Sequence, residues 1–228
     1  YEDAAVEGMR RLMGVRPGDA FPASDVAAIK MGTTVATNAL LERKGVKTLF
    51  VTTRGFADSL LIGDQARPDL FALEIKRPAP LYAGVLEIEE RLAADGSVVT
   101  PLDTGSAQVG LLGAFLEGYA SIAIAFLHSD LNPAHERRAA EIAHRIGFEY
   151  VCMSHEVSPL PRFLPRAETT VADAYLTPVL AAYVRRVSAA VAGAPLFFMT
   201  SAGALVSADR FLGRDAVVSG PAGGVVGV

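Results

Sequence analysis

The sequence predicts an α/β protein in which buried strands alternate with helices, interrupted by one β-rich excursion. Three observations carry that expectation. Short runs rich in apolar and β-branched residues recur at residues 48–53, 121–127 and 196–200; helical periodicity fills the intervals between them; and polar residues gather directly after the runs, as they do at the carboxyl ends of strands in open α/β sheets.

The elements follow in order. Residues 4–14 are amphipathic, with Ala5, Met9, Leu12 and Met13 on one side. Pro17-Gly18-Asp19 is a loop, and Ser24 is placed to cap a short helix reaching Ala28. Residues 29–31 form a strand running into Gly32, residues 34–44 a helix with Gly45 as its C-cap, and residues 48–53 a second strand. In such a strand–helix–strand unit the turns at Gly32 and after Thr52 would converge on one sheet edge. Residues 56–62 make a helical turn, while 65–69 and 76–80 are irregular. Residues 86–92 alternate as one half-exposed strand that Asp95-Gly96 folds back onto residues 97–100. Helices at 106–117 and 135–146 then flank strands at 121–127 and 150–154. A long helix at 170–191 contains Pro178, which predicts a kink or a break. A strand at 196–200 precedes the segment Ser219-Gly220-Pro221-Ala222-Gly223-Gly224, whose small residues predict a helix packed closely against something.

Composition excludes several classes. Of 228 residues, 51% are hydrophobic and 20% charged, which suits a packed core and, at this length, two lobes. A formal net charge of −4 offers no footprint for a nucleic-acid backbone. The apolar runs fall short of the roughly 20 residues that cross a membrane. With no signal-peptide pattern after Tyr1, a cytoplasmic protein is expected. The single cysteine, Cys152, excludes an internal disulfide and reads as a buried thiol on a strand. The chain opens without Met and ends on a glycine-rich run, which suggests an internal piece of a longer polypeptide.

The residues that could carry chemistry lie after the strands. Thr33, Thr34, Thr37 and Asn38 place short donors in the first turns of a helix, where unpaired N–H groups suit an anion or a developing oxyanion; equally, the hydroxyls could satisfy only their own backbone. Thr52 and Thr53, His128 and Ser129, His155 and Glu156, and Thr200 and Ser201 follow other strands, as in a binding cleft or as ordinary polar loops. His135-Glu136 lacks the second histidine of a zinc-protease helix and reads as an N-terminal charge pair, and no metal site is expected. Ser219, Gly220, Gly223 and Gly224 fit neither dinucleotide nor P-loop spacing.

Residues 31–45 (Met-Gly-Thr-Thr-Val-Ala-Thr-Asn-Ala-Leu-Leu-Glu-Arg-Lys-Gly), residues 51–56, residues 154–159 (Ser-His-Glu-Val-Ser-Pro) and residues 218–227 resemble the hydantoinase A and 5-oxoprolinase family across almost the whole chain. Residues 65–71 look more like its 5-oxoprolinase branch than its N-methylhydantoinase or acetone carboxylase branches. The resemblance implies an actin-like, sugar-kinase-like ATPase fold. Residues 1–105 would be the family's N-terminal region and 106–228 the start of its second domain. It also implies ATP-dependent opening of a cyclic amide, by phosphorylation of the carbonyl oxygen before water attacks, with ATP and Mg2+ bound at two Asp-x-Gly-Gly-Thr loops that this chain lacks. Thr33, Thr34, Thr37 and Asn38 would contact the substrate or transition state. His155 and Glu156 would lie on the substrate side, and Ser219, Gly220, Gly223 and Gly224 near ATP. A hydantoinase B-type companion and an oligomer are the implied partners. The alternatives are an ATP-dependent hydantoinase, an acetone carboxylase-type subunit, or a non-catalytic assembly module.

Overall fold

A computed structural model describes residues 3–16, 19–64, 71 and 78–226. In chain order the elements are α1 (Ala4–Leu12), a 3₁₀ turn (Ala23–Asp25), β1 (Ile29–Met31), α2 (Val35–Leu41), β2 (Thr48–Thr53), α3 (Ser59–Ile62), β3 (Gly84–Ile88), β4 (Arg91–Leu92), β5 (Val98–Thr100), α4 (Thr104–Leu116), β6 (Ser121–Ala125), α5 (Ala134–Ile146), β7 (Tyr150–Met153), α6 (Ser154–Val157), α7 (Phe163–Ala190), β8 (Leu196–Met199), β9 (Leu205–Ser207), a second 3₁₀ turn (Ala208–Arg210), α8 (Gly213–Ala216) and α9 (Ser219–Val226). The expected loop at Pro17-Gly18 and the irregular stretches at 65–70 and 76–77 lie outside the described residues. Two compact units emerge: a central one of residues 45–178, and a terminal one that joins residues 1–44 to 179–228. This spatial division is separate from the linear one at residue 105, which concerns sequence regions.

The central unit is built on a parallel sheet of order β3-β2-β6-β7. Strands β2 and β6 are buried on both faces, as their continuous apolar character requires. Leu49, Val51, Ile122 and Ile124 face Ala107 and Leu111 of α4 and Ala139 and Ala143 of α5. Phe50, Ala123 and Ala125 face Ala167, Val171 and Ala174 on the first half of α7. Where the two strands begin, the Thr48 and Ser121 hydroxyls pair at 2.9 Å, so neither is buried unsatisfied. Cys152 sits partly buried on β7, packed beside the second of these clusters. Asp103 caps α4 by accepting from the N–H groups of Gly105 and Ser106, which starts that helix earlier than periodicity predicts.

Three expectations for this unit need correction. Residues 86–92 do not form one strand: β3 pairs parallel with β2, while β4 pairs antiparallel with β5. The chain changes sheet at Glu89 and Glu90 because the Glu90 side chain turns inward to partners of its own, described below. Gly45 is not the C-cap of α2. Arg43 takes the left-handed conformation there, at φ 54°, and Gly45 is small because a Cβ would fall within the ring of Tyr175. The long helix begins at Phe163 and runs through Pro178 as a single element.

In the terminal unit β1 pairs parallel with β8, and β8 antiparallel with β9. Its core stacks Phe198 on Phe211 with centroids 4.8 Å apart, and sets Tyr183 edge-on to Phe198 at 6.3 Å. Here too expectation and structure differ. Helix α1 buries Val6 and leaves Leu12 90% exposed. Ser24 lies inside a 3₁₀ turn rather than capping a helix. Strands β1 and β2 belong to different sheets, because the three-residue β1 finds its partner near the end of the chain. The turns after β1 and β2 therefore do not share a sheet edge.

Candidate functional site

Gly32 leads out of β1 into Thr33 and Thr34. Thr33 is buried; its hydroxyl accepts from the Val35 N–H at 3.2 Å and is hydrogen-bonded to Tyr183. Burial first, then the charge of Asp3, pushes the Tyr183 phenol above its ordinary pKa, while the Thr33 bond pulls it down. The Thr33 carbonyl accepts from the Ser219 hydroxyl at 2.9 Å, and the same hydroxyl reaches the Ala216 carbonyl at 2.9 Å. Thr37 donates to the carbonyl of Val217. Thr33, Thr37 and Ser219 thus bind α2 to the α8–α9 segment. Thr34 and Asn38 remain outward, their side chains 3.5 Å apart.

Glycines set how closely α9 approaches. A Cβ on Gly220 would stand 2.9 Å from the Thr34 methyl, and one on Gly223 would stand 3.7 Å from the Cα of Gly32. A Cβ on Gly224 would meet no atom of another described element within 4 Å. Between turn and helix lies an open cleft of about 630 Å³, with Thr33 and Thr34 on one wall and Gly220, Gly223 and Gly224 on the other. Met199 and Leu205 give it an apolar side, and Lys30 its charge. Sequence reasoning missed these three. Lys30 was legible from strand alternation, since Ile29 and Met31 point inward. Leu205 was not, because nothing marks the short β9.

A second polar cluster lies after the strands of the central unit. The Glu136 carboxylate, fully buried, accepts from the Phe126 N–H at 3.0 Å, the Ser154 hydroxyl at 2.6 Å and the His155 N–H at 3.0 Å, and pairs with His155 Nδ1 at 2.6 Å. Arg166, equally buried, donates to Asp130 at 2.7 Å, to Ser154 at 3.0 Å and to the carbonyls of Leu160 and Phe126 at 2.8 and 2.9 Å. Glu90 pairs with His135 Nδ1 at 2.7 Å and accepts from Thr53. The expected N-terminal charge pair His135-Glu136 is therefore corrected: both are buried, and each holds a distant partner. Glu156 is mostly exposed, 3.7 Å from His155 Nε2, so the close carboxylate of His155 is Glu136. Among the described residues His155 Nε2 is buried without a hydrogen bond.

Among the described residues no group of three or more His, Cys, Asp or Glu could hold a metal. Among the same residues no helix is long and apolar enough to cross a membrane.

This α/β chain has a fold of the actin-like class. It superposes with a TM-score of 0.79 and 31% identity on the crystal structure of an ATP-dependent caprolactamase from Pseudomonas jessenii, over 96% of this chain and 33% of that one. The chain belongs to the hydantoinase/oxoprolinase family: the family's N-terminal region matches residues 1–147 and its hydantoinase/oxoprolinase domain residues 166–228. It is 44% identical to the 5-oxoprolinase of Saccharomyces cerevisiae, over all of this chain and 20% of the relative. It is also 35% identical to caprolactamase subunit alpha of Pseudomonas jessenii, over 84% of this chain and 29% of that protein. The chain thus spans about a fifth of the length of its yeast relative.

Proposed function

We propose that this chain contributes one wall of the active site of an ATP-dependent cyclic-amide hydrolase of the 5-oxoprolinase type, which opens 5-oxo-L-proline to L-glutamate. The observation that carries the proposal is the cleft of the terminal unit, which sets the threonine hydroxyls that follow β1 opposite a glycine-lined helix. Opening a lactam requires holding a neutral amide still while charge grows on its oxygen, and fixed neutral donors stabilise that charge without quenching it. Thr34 and Asn38 are the substrate-facing donors; Thr33, Thr37 and Ser219 hold them in place.

The glycine wall fits a nucleotide phosphate, since Gly224 leaves its backbone open to approach. ATP, with Mg2+, would supply the phosphoryl group that turns the amide oxygen into a leaving group, and Gly220, Gly223 and Gly224 would border it. His155 and Glu156 stand further back: His155 is locked to Glu136, which supports a positioning role. The caprolactamase relative is a subunit alpha, which supports a companion subunit here; we assign that companion to the hydantoinase B type and, as part of the same proposal, the whole to an oligomeric, cytoplasmic enzyme. Residues 1–105 and 106–228 are the two sequence regions we assign to it.

The test is ATP hydrolysis by the protein at its full natural length with its companion present. Magnesium-dependent hydrolysis stimulated by 5-oxo-L-proline is expected. No stimulation by any lactam or hydantoin overturns the proposal.

A further inference from the structure

The cleft has a polarity that the reaction by itself does not require. Among the described residues Lys30 is the only ionisable one lining it. Ile29 and Met31 are buried on either side of it while Lys30 is exposed, so the pleat of β1 keeps the ammonium out of the core and open to a ligand beside the cleft it lines. Lys30 makes no ion pair with any described residue. The remaining wall is neutral: Thr33 and Thr34 hydroxyls, glycine backbone, and the apolar side chains of Met199 and Leu205. Among the described residues no acidic one lines the cleft to neutralise the lysine.

A lone cation beside an apolar surface and neutral donors suits a small ring that carries one negative charge. A phosphate chain, by contrast, carries several charges and is ordinarily met by several donors and a metal ion. We propose that Lys30 is the specificity determinant of this cleft, anchoring the carboxylate of an anionic cyclic amide, with Met199 and Leu205 against the ring methylenes and Thr34 toward the amide. The inference rests on the function proposed above and deepens it: it assigns to Lys30 the recognition of the carboxylate that distinguishes 5-oxo-L-proline from a neutral lactam.

The experiment compares two ligands that differ in that one group, 5-oxo-L-proline and 2-pyrrolidinone. Their affinities are measured by calorimetry on the protein at its full natural length, as wild type, Lys30→Met and Lys30→Arg. Inorganic phosphate is a third ligand, and thermal midpoints report folding. The wild type should prefer 5-oxo-L-proline. Lys30→Met should collapse that preference by about ten- to a hundredfold, the weight of one charge-assisted hydrogen bond, and Lys30→Arg should restore most of it. An unchanged preference, an equal loss for both lactams, or a wild type that binds neither overturns the inference. So does a Lys30→Met protein that loses phosphate but keeps 5-oxo-L-proline, because the anion would then be a phosphoryl group. Lactam-stimulated ATP hydrolysis with an unchanged ligand preference would sink this inference alone. Absent stimulation with a collapsed preference would sink only the hydrolase reading.

Discussion

The two units treat polar residues in opposite ways. After the strands of the central unit, Glu136, His155, Arg166, Asp130, Glu90 and His135 are turned inward and matched to one another or to backbone groups. After β1 in the terminal unit, the polar residues are neutral, smaller and partly open, and the one charge, Lys30, has no counterion among the described residues. Buried charges must be paired to survive desolvation, and a paired group is already occupied. Groups left facing an open cleft retain their capacity for a ligand. Position after a strand is therefore a weak indicator of a site, and freedom from internal partners is a better one.

The largest effect that would sharpen this contrast lies in the central unit. Replacing Arg166 with Ala strips the partner from Asp130, Ser154 and two carbonyls, and should cost about 3–5 kcal/mol, as expected when one side of a buried ion pair is removed. Urea unfolding measures this directly, and a loss under 1 kcal/mol would mean that the network is not structural.

Glycines provide the next comparison. Gly45→Ala drives a methyl into the Tyr175 ring and should cost about 1–3 kcal/mol. Gly224→Ala meets nothing within 4 Å, so it should leave the unfolding midpoint unchanged while narrowing the cleft and reducing ATP turnover. A stability loss at Gly224 matching that at Gly45 would break the distinction between packed and open glycines.

Thr34→Val should lower turnover about ten- to a hundredfold, the loss of one hydrogen bond at the reacting group, with the melting temperature little changed. His155→Gln should do the reverse, since its main partner is the buried Glu136. Wild-type turnover in Thr34→Val would remove that hydroxyl from the site.

The smallest effect is in pH dependence. The Ser106 N–H and hydroxyl, with the Gly105 N–H, hold the Asp103 carboxyl below the usual carboxylate range. Because the folded-state pKa is depressed, this cap stabilises the protein above the ordinary carboxylate pKa, and the contribution fades as pH falls through the lowered value. Asp103→Asn should therefore flatten the acid limb of a melting-temperature profile slightly and leave the neutral plateau nearly unchanged.

Much of the fold was legible because its signals are local. The apolar run of β6 and the hairpin signal of Asp95-Gly96 both lead to the elements they predict. What failed was pairing over distance. β1 and β2 flank one helix, so a single crossover unit was the natural reading, yet three residues of strand carry no mark of the sheet they join. The glycine segment at 219–224 was legible as a close-packed helix, because only small residues admit that approach. Glu136 was not legible as buried, since a Glu in the first turn of a helix usually faces water, and its partners come from separate parts of the chain.

The central claim is that ligand chemistry belongs to the cleft of the terminal unit and not to the polar cluster of the central one. Backbone amide shifts recorded by NMR during titration with 5-oxo-L-proline test it most directly. The account predicts perturbations at Lys30, Gly32–Thr34, Gly220, Gly223 and Gly224, with Phe126, Ser154 and His155 unmoved. Perturbations centred on Ser154 and His155, with the glycine wall silent, would contradict it.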